Sequence, residues 1–284
     1  IVMPNGVDFS AGRADAAQVE AVCAGLDLPH DVPVYLFVGR MMWYKGLRII
    51  LDSMKAMKDA GYDFRMLFVG KGTDGPEIER YSHELGLDDK VIFAAPAYDR
   101  EVIRAWYCRA DLFLFPSTFD TNGLVVREAA ACALPSVLIA GSCASEDVTD
   151  GQNGFFIEEN AQSMTALLQK LYRKRELLRQ VGEHAQKEIY ISWETAVKHA
   201  CARYEVVLDN FRAGKYPAHE APTDELLRGA AGLMAGINYV RRESQQLRES
   251  ATESREKLQE SYEQSREKMQ QALDSLWQRL DRFL

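Results

Sequence analysis

The chain has 284 residues, 47% apolar and 10% aromatic, enough apolar side chain for a sizeable core and too much for a disordered polymer. Thirty-four Lys and Arg stand against 42 Asp and Glu, a net charge of -8, which argues against a nucleic-acid partner held through its phosphates. The five cysteines (Cys23, Cys108, Cys132, Cys143, Cys201) are scattered, with no Cys-x-x-Cys pair and no His placed to complete a zinc site, so reduced thiols and no metal centre are expected.

The chain opens on Ile1-Val2-Met3-Pro4-Asn5-Gly6-Val7-Asp8, an apolar pair running into a turn without an initiator Met at position 1, and this reads as a fragment whose N-terminal part is absent. No apolar run is long enough for a membrane-spanning helix, and the start lacks the charged-then-apolar layout of a signal peptide. A cytoplasmic protein, soluble or peripheral at the inner face of the membrane, is expected. From residue 34 onward, apolar runs at 34–38, 65–69, 90–94, 111–115, 136–139 and 154–157 alternate with amphipathic stretches at 46–59, 76–85, 99–108, 124–132 and 161–174. Parallel strands buried on both faces and joined by crossover helices give this pattern. The fold class is therefore α/β, a doubly wound, Rossmann-like parallel sheet. Two further helices are predicted at about 176–189 and 193–211.

A polar, breaker-rich stretch with Gly214, Pro217 and Pro222 then divides the chain into a domain at 1–212, a linker at 213–223 and a helical extension at 224–284. In the extension, residues 247–257 (LRESATESREK) return at 258–268 as LQESYEQSREK. Eleven residues in three turns is about 3.67 per turn, so Leu247, Leu258, Met269 and Leu280 share one stripe of a long, nearly straight helix. The charges of the repeat are mixed in sign and its apolar face is thin until Leu273, Leu276, Trp277, Leu280, Phe283 and Leu284. A membrane-surface helix has a broad apolar face and a basic polar one. A solvated spacer helix that packs by its last turns is one reading; the other, expected here, is homo-oligomerisation through about 240–284, with lipid contact limited to the tip.

Two segments carry chemistry. In Phe37-Val38-Gly39-Arg40, followed by Lys45-Gly46, a glycine and two cations sit at the carboxyl end of a buried strand, where open α/β sheets bind ligands and where a helix begins with free N–H groups. Arg40 and Lys45 are placed to clamp a diphosphate; the plainer reading is a βα loop with two solvated cations. In the second segment, Pro116 to Ala129, a strand ends, Asp120 follows, Gly123 lets backbone approach a ligand, and a helix begins whose second turn carries Glu128. Carboxylates accept from sugar hydroxyls, and the amides of Gly123, Leu124 and Val125 suit phosphate oxygens. Asp120 and Glu128 are expected on one side of a common pocket. The five histidines, His30, His83, His184, His199 and His219, fall outside both segments and read as structural or surface groups.

Asp120 and Glu128 are acids separated by seven residues, and the run from Gly123 to Pro135 continues the motif. With Gly39-Arg40, Lys45-Gly46 and the turn Asp150-Gly151-Gln152-Asn153-Gly154-Phe155, they resemble glycosyltransferase family four. The likeness covers about residues 3–210 and matches the C-terminal, donor-binding domain of these retaining GT-B enzymes, residues 4–8 resembling their interdomain link. It implies that Arg40 and Lys45 bind the donor diphosphate, Glu128 the ribose and Asp120 the transferred hexose. Gly39 and the segment around Asn122, Gly123, Leu124 and Val125 then belong to the same site, with Gly70 and the loop from Phe93 to Ala97 near the base. The stretch 120–156 looks most like bacterial transferases that glucosylate diacylglycerol, which implies a lipid acceptor. Two positions depart from the pattern: Asp120 replaces the usual Glu, one methylene shorter, and Ala133 replaces the usual Gly, adding a methyl group without removing a donor or acceptor.

Fixed cations and helix amides are expected to neutralise the departing diphosphate in place of a metal, and no Asp-x-Asp motif occurs. The partner is thus a nucleotide sugar, UDP-linked, with no cofactor, and the fragment is expected to bind donor without turnover. The competing reading is a non-catalytic nucleotide-binding scaffold that oligomerises through its C-terminal helix; an epimerase of the same fold is disfavoured by the paired acids.

Overall fold

The structure, a computed structural model, describes residues 5–10, 12–94, 96–97, 99–120, 123–216 and 231–239. Asn122, His219, the later part of the expected linker and the eleven-residue repeat lie outside the described residues. By its contacts the chain divides into two compact units, Ile1–Asp209 and Asn210–Leu284.

The first unit is built on a six-stranded, all-parallel sheet in the order β3-β2-β1-β4-β5-β6. The strands are β1 (Val34–Val38), β2 (Arg65–Val69), β3 (Val91–Ala94), β4 (Leu112–Phe115), β5 (Ser136–Ile139) and β6 (Phe155–Ile157). Helices α1 (Ala16–Cys23), α2 (Leu47–Asp59), α3 (Gly75–Glu84), α4 (Arg100–Arg109), α5 (Leu124–Ala131), α6 (Ala161–Leu171), α7 (Arg175–Glu188) and α8 (Trp193–Arg212) connect or flank them. Every predicted strand forms, because a run such as Val34 to Phe37 or Leu112 to Phe115 is buried on both faces and only a central parallel strand removes both from water. Phe37, Phe68, Phe113 and Phe115 are buried side by side across three strands, with ring centroids 5.7–6.1 Å apart. These rings floor the carboxyl ends of β1 and β4.

Two local differences from the sequence reading have a backbone cause. The sixth helix stops at Leu171, short of 174, because Tyr172 leaves the helical region and Arg173 takes a φ of 56°. Helix α1, ahead of the first strand, is an addition to the predicted elements; its start is capped by Asp15, whose side chain accepts from the Ala17 amide.

Ala133 is more consequential than one added methyl group. Its φ is 53°, the left-handed region that favours glycine, and its carbonyl lies where a Cβ on Gly182 of α7 would be, at 2.1 Å. The turn between α5 and β5 is therefore pressed against α7 by a residue that bears the strain. Ala133→Gly should stabilise the fold by about 0.5–1 kcal/mol, the relieved strain exceeding the added freedom of the unfolded chain. A thermal midpoint equal to or below the parent's would contradict this.

In the second unit the described residues are the end of α8, the turn at 213–216 and a helical stretch at 231–239 that leaves Leu233, Met234, Ile237 and Tyr239 exposed. Among the described residues no helix is long and apolar enough to cross a membrane.

Candidate functional site

The strand order reverses between β1 and β4, and connections leave the carboxyl ends of these neighbours in opposite directions, which opens a crevice there. A cleft of about 380 Å³ occupies this position. It is lined by Gly39, Arg40, Lys45, Asp120, Gly123, Leu124 and Val125, all expected from the sequence, together with Asn5, Val38 and Phe115. Two loops far apart in the chain thus meet at one place.

Gly46 enforces this meeting. It closes the short turn Trp43–Lys45 with φ 76° and starts α2, and a Cβ there would lie 2.0 Å from the carbonyl oxygen of Pro116, just after β4. Only glycine allows the β1–α2 loop to rest on the end of β4. Lys45, one residue earlier, is thereby carried to Asp120, and its Nζ donates to an Asp120 carboxylate oxygen at 2.5 Å. The ammonium is also 5.4 Å from the Tyr44 ring and 5.6 Å from the Phe115 ring, and its side chain is only 10% exposed. Arg40, by contrast, is exposed, with its guanidinium 6.0 Å from the Tyr44 ring. The rings of Tyr44 and Phe119 meet edge to face at 6.2 Å, and Phe119 is 80% exposed.

Gly123, with φ 51°, begins α5, and the first intrahelical bond runs from the Val126 amide to the Gly123 carbonyl at 2.8 Å. The amides of Leu124 and Val125 consequently have no partner within the helix, and the positive end of its dipole faces the cleft.

Glu128 stands apart from this arrangement. It does not line the cleft; its carboxylate accepts a hydrogen bond from the buried Tyr107 hydroxyl of α4 at 3.2 Å and lies 4.0 Å from Arg100, which also pairs with Asp8 at 3.3 Å. Asp120 lines the cleft directly, and Glu128 lies about one turn further along α5 from the Gly123–Val125 edge of it. Burial pushes the Glu128 carboxyl above the ordinary range, against the Tyr107 hydrogen bond and the Arg100 charge. A carboxyl raised on folding is stabilising when protonated. That contribution is present at low pH and is lost as pH climbs from the ordinary Glu value through the raised one. Glu128→Gln should accordingly raise the thermal midpoint at neutral pH, and an unchanged midpoint between acid and neutral pH in the parent would count against the shift.

Gly70 and Ala97 also lie outside the cleft lining. A Cβ on Gly70 would meet the Gly39 carbonyl oxygen at 1.9 Å, so Gly70 seats the turn after β1, and Ala97 packs partly buried against the core. Tyr107 and Arg100 escape a reading of the sequence, because an aromatic residue and a cation on an amphipathic helix read as core and solvent face. His30, His83 and His184 pair with Glu20, Asp88 and Glu188 at the surface, and His199 is exposed. Among the described residues no three His, Cys, Asp or Glu side chains gather as metal ligands.

The chain belongs to the family described as glycosyl transferases group 1, which residues 21–188 match, and its six-stranded parallel sheet shares the fold of solved GT-B glycosyltransferases. Its curated relatives include the D-inositol 3-phosphate glycosyltransferase of Mycolicibacterium smegmatis, 31% identical over 225 residues, covering 75% of this chain and 48% of the relative. The chain spans about half the length of the curated relatives it matches. Among solved structures, Anabaena HepE in complex with UDP and glucose superimposes with a TM-score of 0.63 at 20% identity, over 72% of this chain and 56% of that one. The C-terminal domain of a group 1 glycosyltransferase from Francisella tularensis matches over 65% of this chain and 96% of its own, with a TM-score of 0.55 at 21% identity.

Proposed function

We propose that this chain is the nucleotide-sugar-binding half of a retaining glycosyltransferase that transfers a hexose from a UDP-sugar. The observation that carries the reading is the convergence of Arg40, Lys45 and the open amides of α5 on one cleft at the β1/β4 switch point. As the glycosidic bond loosens, negative charge grows on the departing diphosphate, and fixed cations and helix amides stabilise it without reorganising. Glu128, on the second turn of α5, is assigned to the ribose hydroxyls and Asp120 to the transferred sugar. The structural likeness to Anabaena HepE, which was solved with UDP and glucose bound, supports a uridine nucleotide.

Isothermal titration with UDP in the presence of EDTA tests the proposal. Heat of binding is expected with a single site; no binding, or binding only after magnesium is restored, overturns it. The ion pair adds a second expectation. Asp120 neutralises Lys45 in the free protein, so Asp120→Asn should tighten UDP by releasing the cation, while weakening UDP-sugar relative to UDP because the sugar contact is lost. Looser UDP binding in that variant would contradict the assignment.

The acceptor reading rests on the likeness of residues 120–156 to lipid glucosyltransferases, whereas the curated relatives are named for D-inositol 3-phosphate. Transfer by the full-length enzyme to diacylglycerol vesicles or to the inositol phosphate separates the two. Self-association through 240–284 is tested by truncation after Pro222, which should give a monomer in sedimentation equilibrium with UDP affinity intact; a full chain that is already monomeric overturns it.

A further inference from the structure

We propose that Tyr107 is the positioning residue for ribose recognition: its buried hydroxyl holds Glu128 in the orientation that accepts from the sugar hydroxyls, and so sets the preference of the donor site for a ribonucleotide. The inference rests on the nucleotide-sugar reading and on the assignment of Glu128 to ribose. A free glutamate side chain turns about three bonds, and that freedom is lost when a ligand binds unless the carboxylate is already held.

The hold comes from α4. The Tyr107 hydroxyl donates to Oε2 of Glu128 at 3.2 Å, whereas Nη1 of Arg100 stands 4.0 Å from Oε1, beyond hydrogen-bond length. One carboxylate oxygen is thus engaged and the other is left to a ligand. The two ends of the pair differ in access, since Tyr107 is fully buried and the Glu128 side chain is 19% exposed. Tyr107 therefore acts on a ligand only through Glu128. Burial, reinforced by the Glu128 charge and by the hydrogen bond itself, holds the Tyr107 hydroxyl well above the usual tyrosine range, so it remains the donor of the pair.

A hydroxyl positions a neighbour only if its own ring cannot move. Tyr107 stands in the last turns of α4, and its ring meets Phe113 of β4 edge-on at a centroid distance of 5.5 Å and Phe9 at 6.0 Å. Phe113 stacks on Phe115, which lines the donor cleft, and the Phe9 carbonyl accepts from the Tyr190 hydroxyl at 2.6 Å. The hydroxyl is thereby fixed relative to the strand that floors the cleft, and Glu128 with it.

A buried Tyr–Glu hydrogen bond can also stabilise a fold without any part in binding. The two roles differ in what they do to ligands that have and lack the ribose hydroxyls.

Calorimetric titration of the chain with UDP and with 2′,3′-dideoxy-UDP separates them. The parent should bind UDP about ten-fold or more tightly than the dideoxy ligand, the range for a hydrogen bond to a charged group. Tyr107→Phe keeps the ring and its edge contacts, and should lower that preference several-fold by weakening UDP while leaving the dideoxy ligand unchanged. Each preference is a ratio taken on one preparation, so a loss of folded protein cancels from it. Adding Tyr107→Phe to Glu128→Gln should lower the preference no further. Parental preference in Tyr107→Phe, an equal loss of both ligands, or a further drop in the double variant overturns the positioning role while leaving Glu128 as the ribose acid. Parental preference in Glu128→Gln removes the ribose assignment, and the role of Tyr107 with it. A chain that binds neither ligand refutes the donor reading itself, and the proposal falls with it.

Discussion

Lys45→Ala should weaken UDP binding by about 1.5–3 kcal/mol, roughly ten- to a hundred-fold in Kd, the range for a hydrogen bond to a charged group. The upper part of the range is expected, because of what the substitution leaves behind. Lys45 is held at 2.5 Å from Asp120, and its removal leaves a carboxylate that is only 21% exposed facing an incoming diphosphate with no cation between them. Adding Asp120→Asn to Lys45→Ala should therefore recover part of the affinity, and the two changes should be far from additive. Titration calorimetry of the four proteins in the cycle checks this. Additive effects would mean that the ion pair and the ligand site are independent, and an unchanged Kd in Lys45→Ala would remove the clamp altogether.

Gly46→Ala should cost the fold about 3 kcal/mol or more and lower the thermal midpoint by roughly 6–12 °C. Two penalties combine: a φ of 76° in a residue with a Cβ, and a collision of that Cβ with the Pro116 carbonyl at 2.0 Å. Neither atom is the end of a flexible side chain, so relief requires the β1–α2 loop to lift off β4. Lys45 moves with it. UDP affinity should fall at temperatures where the variant is still folded, which distinguishes displacement of the loop from simple unfolding. A variant of parental stability would show that the loop can shift without cost.

Gly46 also shows how far the sequence reading reaches. Lys45-Gly46 is recognisable as part of a phosphate-binding segment from its place after a buried strand, but the neighbour that requires glycine, Pro116, lies 70 residues away and contributes a backbone oxygen, which no side-chain pattern announces. Ala133 is a parallel case. As a letter it is a glycine with one more carbon, and only the φ of 53° and the approach of Gly182 turn that carbon into strain.

The alternation of apolar runs with amphipathic stretches is sufficient by itself for the parallel sheet, because burial of both strand faces leaves little choice of arrangement. The paired segments around Arg40 and Asp120 are likewise legible, since a cleft at a switch point needs cations and a helix start at the ends of particular strands. Contacts between those segments are not. The pairing of Lys45 with Asp120 and the contacts of Glu128 with Tyr107 and Arg100 each depend on which elements pack together. Periodicity tells which face of a helix is buried, whereas the side chains that meet there are chosen by the angle and offset at which two helices cross, and these belong to the assembled core.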